Sequence, residues 1–326
     1  MLFSVIIPVY NRPDEIAELL DSLAVQTDMS FEVLVLEDDS PHKCEDICLS
    51  YQDRLDIKYF FRPGLSRSER RNLGMDQAKG DYYLLFDSDC IIPPDYIAIV
   101  KQCLLQDYAD CFGGPDSADN NFSDLQKAIN YSMTSIMTTG GIRGATKKKE
   151  SFSPRSFNMG ISKKCYTEVG GYRNMIGEDI DLSLRIKEAG FKTLLYPNAY
   201  VYHKRRVDIC KFFHQVYTFG KARILLSKLH PGSLKIVHLL PMAFVLGNIL
   251  LELLALIFWN TLWLAPIGLY ILGVFVESLY KNKSLYIALL SIVATYTQLF
   301  GYGLGFIDEL LTHSASKSAQ ELLYQQ

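Results

Sequence analysis

The chain has 326 residues, enough for one large domain with an appendage or for two modest domains. Its formal charge of −3 excludes nucleic-acid binding through bulk positive charge. Apolar residues make up 49% of it, high for a purely soluble protein, and they are unevenly spread: residues 1–235 read as a charged globular segment, and 236–306 as a nearly charge-free one.

Residues 4–9 form a short β-branched run that closes in Pro8-Val9-Tyr10-Asn11. No basic flank or long apolar stretch precedes it, so no signal peptide is expected. Residues 14–24 place Ile16, Leu19, Leu20 and Leu23 on one helical face. A second apolar strand, 31–36, stops in Glu37-Asp38-Asp39-Ser40, and 56–61 reads as a third. Residues 69–78 read as a helix closed by Gly80, and 82–86 as a strand that ends in Asp87-Ser88-Asp89. Near-continuous apolar strands separated by helices predict an α/β fold with a mostly parallel sheet covered on both faces. Ligands of such sheets bind beyond the carboxyl ends of the strands, where both acidic clusters fall. No Gly-x-Gly-x-x-Gly follows the first strand, which removes a dinucleotide-binding fingerprint.

Within 113–160, Gly140-Gly141, Gly144 and Lys147-Lys148-Lys149 read either as a loop over a site or as a solvated loop. Residues 178–190 then read as a helix with its Gly stop, and 193–202 as one strand with Pro197 inside it. The seven cysteines stand singly with no Cys-x-x-Cys pair, against both a disulfide framework and a zinc site.

The stretches 236–258, 262–280 and 285–306 each have about the 20 residues that cross a bilayer. His238, Glu252, Glu277 and Gln298 interrupt them, yet three such stretches in succession with almost no polar face predict transmembrane helices. Trp259 and Trp263 suit an interfacial belt. Basic residues precede the first span (Lys204, Arg205, Arg206, Lys211, Lys221, Arg223, Lys228) and fill the second joint (Lys281, Lys283). The positive-inside rule then puts the amino-terminal domain and the Lys281 loop in the cytoplasm, with Asp308, Glu309 and Glu321 outside. Residues 207–229 interleave Phe212, Phe213, Val216, Phe219 and Leu226 with basic side chains, the pattern of an interfacial helix, or of one packed on the domain. The expected organisation is a domain at 1–206, an interfacial helix region at 207–232 and a membrane domain at 233–326.

Asp87 and Asp89, one residue apart at a strand end, can converge on a hard cation such as Mg²⁺ or Mn²⁺. Arg70 and Arg71 lie between the acidic clusters, and guanidinium groups hold phosphate in a bidentate way. Glu178-Asp179-Ile180-Asp181 opens a helix after Gly177, suited to the helix dipole or to supplying a general base. His203 ends a strand and reads as structural or as a metal ligand.

Taken in order, these residues resemble a family 2 glycosyltransferase of the GT-A fold over about residues 3–205. Phe3 through Asn11 is similar to the family's opening strand, and Glu32 through Ser40 to its second strand and acidic turn, with Asp39 where a Gly is usual. Arg71-Asn72-Leu73-Gly74 resembles its Ala-Arg-Asn-x-Gly helix start, with Arg70 in place of the Ala. Phe86-Asp87-Ser88-Asp89 resembles its metal motif. Asn158-Met159-Gly160 with Gly170-Gly171-Tyr172 is like the stretch under the acceptor site, and Gly177 through Arg185 like the Glu-Asp motif. The resemblance implies a Rossmann-like catalytic domain followed by transmembrane helices. It implies donor contacts at Pro8, Tyr10, Asn11, Asp38, Arg71 and Asp87, a Mg²⁺ or Mn²⁺ at Asp87, Asp89 and His203, a catalytic base at Asp179, and acceptor-side residues Glu178 and Asn158. The reaction implied is one inverting displacement from a nucleotide sugar, a UDP-sugar by the position of Asp38, without a covalent intermediate. The processive Gln-x-x-Arg-Trp motif is missing around Gln215-Val216-Tyr217-Thr218-Phe219, so a single addition is expected. A lipid-carried glycan is the expected acceptor in the cytoplasmic membrane. Polyprenyl phosphate and a catalytically inactive membrane adaptor are the alternatives.

Overall fold

The alternation of buried runs and amphipathic runs gives the expected layers. The computed structural model describes residues 1–117, 123–139, 152–203 and 208–315. They group into two compact units, one within Met1–Asp119 and Thr146–Lys204, the other within Asn120–Ala145 and Arg205–Gln326.

In the first unit, β1 (Phe3–Val9) is followed by α1 (Pro13–Ala24), β2 (Phe31–Glu37), α2 (Glu45–Ser50), β3 (Ile57–Phe61), α3 (Arg67–Gln77) and β4 (Tyr82–Phe86). The four strands run parallel in the order β3-β2-β1-β4. Every residue of β1, β2 and β4 is buried, which is why these strands read as continuous apolar runs and not as alternating ones. Pro8 has no N–H to give a ladder, and the β1–β4 register ends before it, at Ile6 and Leu85. The start of α3 is fixed by a capping box, Ser66 accepting from the Glu69 N–H while Glu69 accepts from the Ser66 N–H.

The chain continues through β5 (Cys90–Ile91), α4 (Tyr96–Gln106), β6 (Cys111–Gly113), β7 (Asp116–Ser117), α5 (Asp124–Thr134) and α6 (Ile136–Thr139). It then forms β8 (Asn158–Ser162), α7 (Lys163–Val169), α8 (Glu178–Glu188), β9 (Thr193–Leu195) and β10 (Val201–His203). Antiparallel β8 lies between β4 and β6, and β9 closes the seven-stranded sheet beside β6. Residues 193–202, expected as one strand, are two strands in two sheets: β9 stays in the large sheet, and β10 joins β5 and β7. Pro197 sits in the break, where it has no ladder to interrupt.

The second unit contains α5 and α6, then α9 (Ile209–Leu229), α10 (Leu240–Ile257), α11 (Ala265–Asn282) and α12 (Leu285–Ala315). Residues 120–145 therefore group with the carboxyl-terminal helices, and their described part is helical; Gly140, Gly141, Gly144 and Lys147–Lys149 lie outside the described residues, as do Lys204, Arg205, Arg206 and Glu321. Three helical segments are long and apolar enough to cross a membrane, Ile236–Ile257, Thr261–Asn282 and Leu285–Thr312. The first two expose rows of large apolar side chains, among them Leu250, Leu256, Ile257, Leu262 and Leu269. Such rows are rare on a monomer in water and ordinary against lipid. The third segment is the most enclosed, with α5, α9, α10 and α11 all against α12.

Some of the polar groups among these helices are satisfied internally, whereas Thr295 Oγ1, Tyr296 Oη and Gln298 Oε1 on α12 are buried without a hydrogen-bond partner among the described residues. The Ser278 hydroxyl donates to Ser291 Oγ at 2.7 Å, and Glu277 accepts from Tyr131 at 2.8 Å, Ser135 at 2.7 Å and Lys281 at 2.6 Å. The face of α9 expected on a membrane surface is covered by protein. Phe212 and Val216 are buried with Ala128, Ile129 and Met133 of α5 and Ile287 and Ala294 of α12. The approach is close because it is made through glycine. A Cβ at Gly220 would stand 2.1 Å from the Tyr302 carbonyl oxygen, and one at Gly305 2.1 Å from that of Tyr217. Gly220→Leu is therefore expected to push α9 off α12 and to cost at least about 1–3 kcal/mol, read as a lowered unfolding midpoint of the solubilised chain; an unchanged midpoint would refute the contact.

Candidate active site

The candidate residues gather beyond the carboxyl ends of β1, β2 and β4. Asp38 follows β2, and its N–H donates to the Val9 carbonyl at 3.1 Å. Its carboxylate accepts from the Gly64 N–H at 3.0 Å and pairs with Arg70. Burial works against its charge, yet the Asp39 and Gly64 N–H groups and Arg70 hold the carboxyl below the usual carboxylate range. Tyr10 is exposed on the same rim, and Asn11, at φ 51°, turns the chain and donates its N–H to Ser40 Oγ at 2.8 Å.

A second group centres on Arg71. Its guanidinium reaches Asp87 at 2.6 Å and Glu178 at 3.2 Å, over the ring of Tyr172. Arg67 joins Glu178 at 3.0 Å. Burial opposes charge on Arg71, but Asp87, Tyr172 and Glu178 raise its affinity for the proton above the ordinary value. Burial likewise pushes the Tyr172 phenol up, so it stays protonated. Gly177, at φ 82°, opens α8, and this left-handed turn sets Glu178 and Asp179 in the first turn. Asp179 accepts from the Ile180 N–H at 2.8 Å and lies 3.4 Å from Arg155.

The third group is Asp89 with His203. Asp89 Oδ1 stands 3.1 Å from His203 Nε2, and Oδ2 stands 3.1 Å from Arg12. The His203 ring is fixed by stacking on Phe157, centroids 4.8 Å apart at 9°. Among the described residues, one cluster of three has ligand atoms within 4.8 Å of one another: Asp89, Cys90 and His203. Burial pushes the Cys90 thiol well up and keeps it protonated, and its Sγ is spent on the Phe157 carbonyl. That leaves a carboxylate oxygen and an imidazole nitrogen, hard and borderline donors that fit Mg²⁺ or Mn²⁺ completed by phosphate and water.

Three expected site residues are buried. Arg71 is fully buried and ties Asp87 to α8. Asn158 is fully buried too, accepting from Tyr96 at 2.6 Å and donating to the Ala199 carbonyl at 2.8 Å. Glu178, its carboxylate occupied by Arg67 and Arg71, belongs to the same framework. Pro8 is buried at the end of β1. Arg12 and Arg155 escaped the sequence reading. Arg12 had one usable signal, a cation directly after the first strand; Arg155 had none.

The family model "Glycosyl transferase family 2" matches residues 4–170, just over half of the 326. An uncharacterized glycosyltransferase of Rickettsia felis is 25% identical over 214 residues, which are 60% of this chain and 35% of that protein. The chain thus spans about a third of the length of the first curated relatives it matches. The mannosyltransferase PcManGT from Pyrobaculum calidifontis, solved with GDP-Man and Mn²⁺, superposes with a TM-score of 0.60 at 14% identity, covering 95% of this chain and 87% of that one. S. aureus TarS 1-349, solved with UDP-GlcNAc, does so at 0.51 and 18% identity, over 96% and 92%. At such identities the likeness establishes the fold, a mostly parallel GT-A-type sheet.

Proposed function

This chain belongs to glycosyl transferase family 2, and from that premise we propose an inverting, metal-dependent enzyme that adds a single sugar from a nucleotide-sugar donor to a membrane-borne acceptor. The observation that carries the reading is the meeting of Asp89 with His203 at 3.1 Å beyond the strand ends that also present Asp38. Asp38, held ionised, offers an acceptor to a base N–H, which favours a UDP-sugar. The two structural neighbours, one solved with UDP-GlcNAc and one with GDP-Man and Mn²⁺, support a nucleotide-sugar donor, and the first of them the UDP preference.

Asp89 and His203 would hold the divalent ion, which supplies charge neutralisation to the leaving diphosphate. Asp179 takes the proton of the acceptor hydroxyl as its oxygen attacks the anomeric carbon from the face opposite the diphosphate. Arg71 acts from beneath, fixing Asp87 and Glu178. The three membrane-length helices anchor the chain in the cytoplasmic membrane as a multi-pass protein with the first unit in the cytoplasm, which favours a lipid-linked glycan as acceptor.

The test is nucleotide binding by the solubilised chain, scanned over UDP-, GDP- and dTDP-sugars with Mn²⁺ and with chelator. One nucleotide class is expected to bind about tenfold or more tighter with Mn²⁺, about 1.4 kcal/mol or more, and Asp89→Ala is expected to remove that gain. A folded chain that binds none of them would be an inactive adaptor.

A further inference from the structure

Asp89 already has a cation before any metal is considered. Arg12 follows the turn at Asn11 and precedes α1, and its Nη1 lies 3.1 Å from Asp89 Oδ2. The same nitrogen lies 3.5 Å from Glu15 Oε1, one turn into α1. We propose that Arg12 is a displaceable counter-ion of Asp89, holding the carboxylate until a divalent cation arrives and then retiring to Glu15. The inference rests on Asp89 and His203 being the metal ligands.

Two carboxylates within reach of one guanidinium give it two resting places. Arg12 is about a third exposed, so a swing between them crosses no packed core. While Arg12 sits on Asp89, an entering cation meets a carboxylate whose charge is already matched and whose second oxygen is taken. The protein offers that cation one carboxylate and one imidazole, short of the six or so ligands that Mg²⁺ or Mn²⁺ takes. A diphosphate supplies both the missing oxygens and the negative charge. Cation and nucleotide therefore enter as a coupled pair, each raising the other's affinity by the same factor. Arg12 is a positioning residue that sets how strong the coupling is.

The full solubilised chain is titrated with Mn²⁺ alone, following free Mn²⁺ by electron paramagnetic resonance. Arg12→Gln is expected to tighten Mn²⁺ binding about three- to fivefold, the scale of one partly exposed charge contact. Glu15→Gln removes the resting place and is expected to weaken it about threefold. Opposite shifts from neighbouring residues exclude general unfolding as the cause. Adding UDP is expected to erase most of the difference between wild type and Arg12→Gln. Unchanged or weaker Mn²⁺ binding by Arg12→Gln, with wild type binding the ion, would overturn the counter-ion role alone. No Mn²⁺ binding by any of the three proteins, with or without UDP, would overturn it together with the metal site.

Discussion

Asp179→Asn is expected to lower turnover by about 10²–10⁴-fold while nucleotide affinity stays unchanged. The side chain is mostly buried at the start of α8, where Oδ1 accepts from the Ile180 N–H at 2.8 Å and Oδ2 faces Arg155 at 3.4 Å. Asparagine keeps the shape and the bond from Ile180, so the helix start is preserved. It loses the one property the reaction asks for, the ability to take a proton from a hydroxyl. The size of the loss also separates the two acceptors. A polyprenyl phosphate is already an anion and needs little help, so a loss of less than about tenfold would identify it and retire the hydroxyl acceptor. The comparison requires steady-state kcat with saturating donor, and nucleotide Kd as the control for folding.

Arg71→Met is expected to abolish transfer and to destabilise the first unit by about 3–5 kcal/mol, the usual cost of leaving a buried charge without its partner. Here one fully buried guanidinium serves two carboxylates, Asp87 and Glu178. Its removal leaves Asp87 without its buried partner and Glu178 with Arg67 alone. Arg71→Lys restores the charge without the fork. One ammonium cannot hold both partners in plane, so stability should recover more than activity. Thermal unfolding and transfer rate measured on the same samples give the answer. A Met variant with wild-type stability would mean that the pairing is incidental.

The parallel strands were legible because burial on both faces leaves no room for alternation, so β1, β2 and β4 announce themselves as apolar runs. The start of α3 was placed two residues late, at 69, because the local capping signal of Ser66 and Glu69 went unread. The family motifs located Asp38, Asp87, Asp89, Asp179 and His203, and the structure brings Asp89 and His203 within 3.1 Å. Depth was another matter. A motif names Arg71, Glu178 and Asn158 but says nothing of how far below the surface each lies, because depth depends on elements far away in the chain. The same limit hid α5. Its apolar face, Ala128, Ile129 and Met133, is complementary to α9 and α12, and no local pattern reveals a partner so distant. Pro197 illustrates the reverse: the strand break was written in the sequence, but the flanking β-branched and aromatic residues outvoted it.

The placing of α5 has a consequence in time. Tyr131 is hydrogen-bonded to the Val274 carbonyl and to Glu277, residues that follow it by 143 and 146 positions. At about 5–20 residues per second of synthesis, α5 leaves the ribosome roughly 7–30 s before its partners exist. For that interval Ala128, Ile129 and Met133 have no completed surface to rest on, since Ile287 and Ala294 of α12 are still to be made.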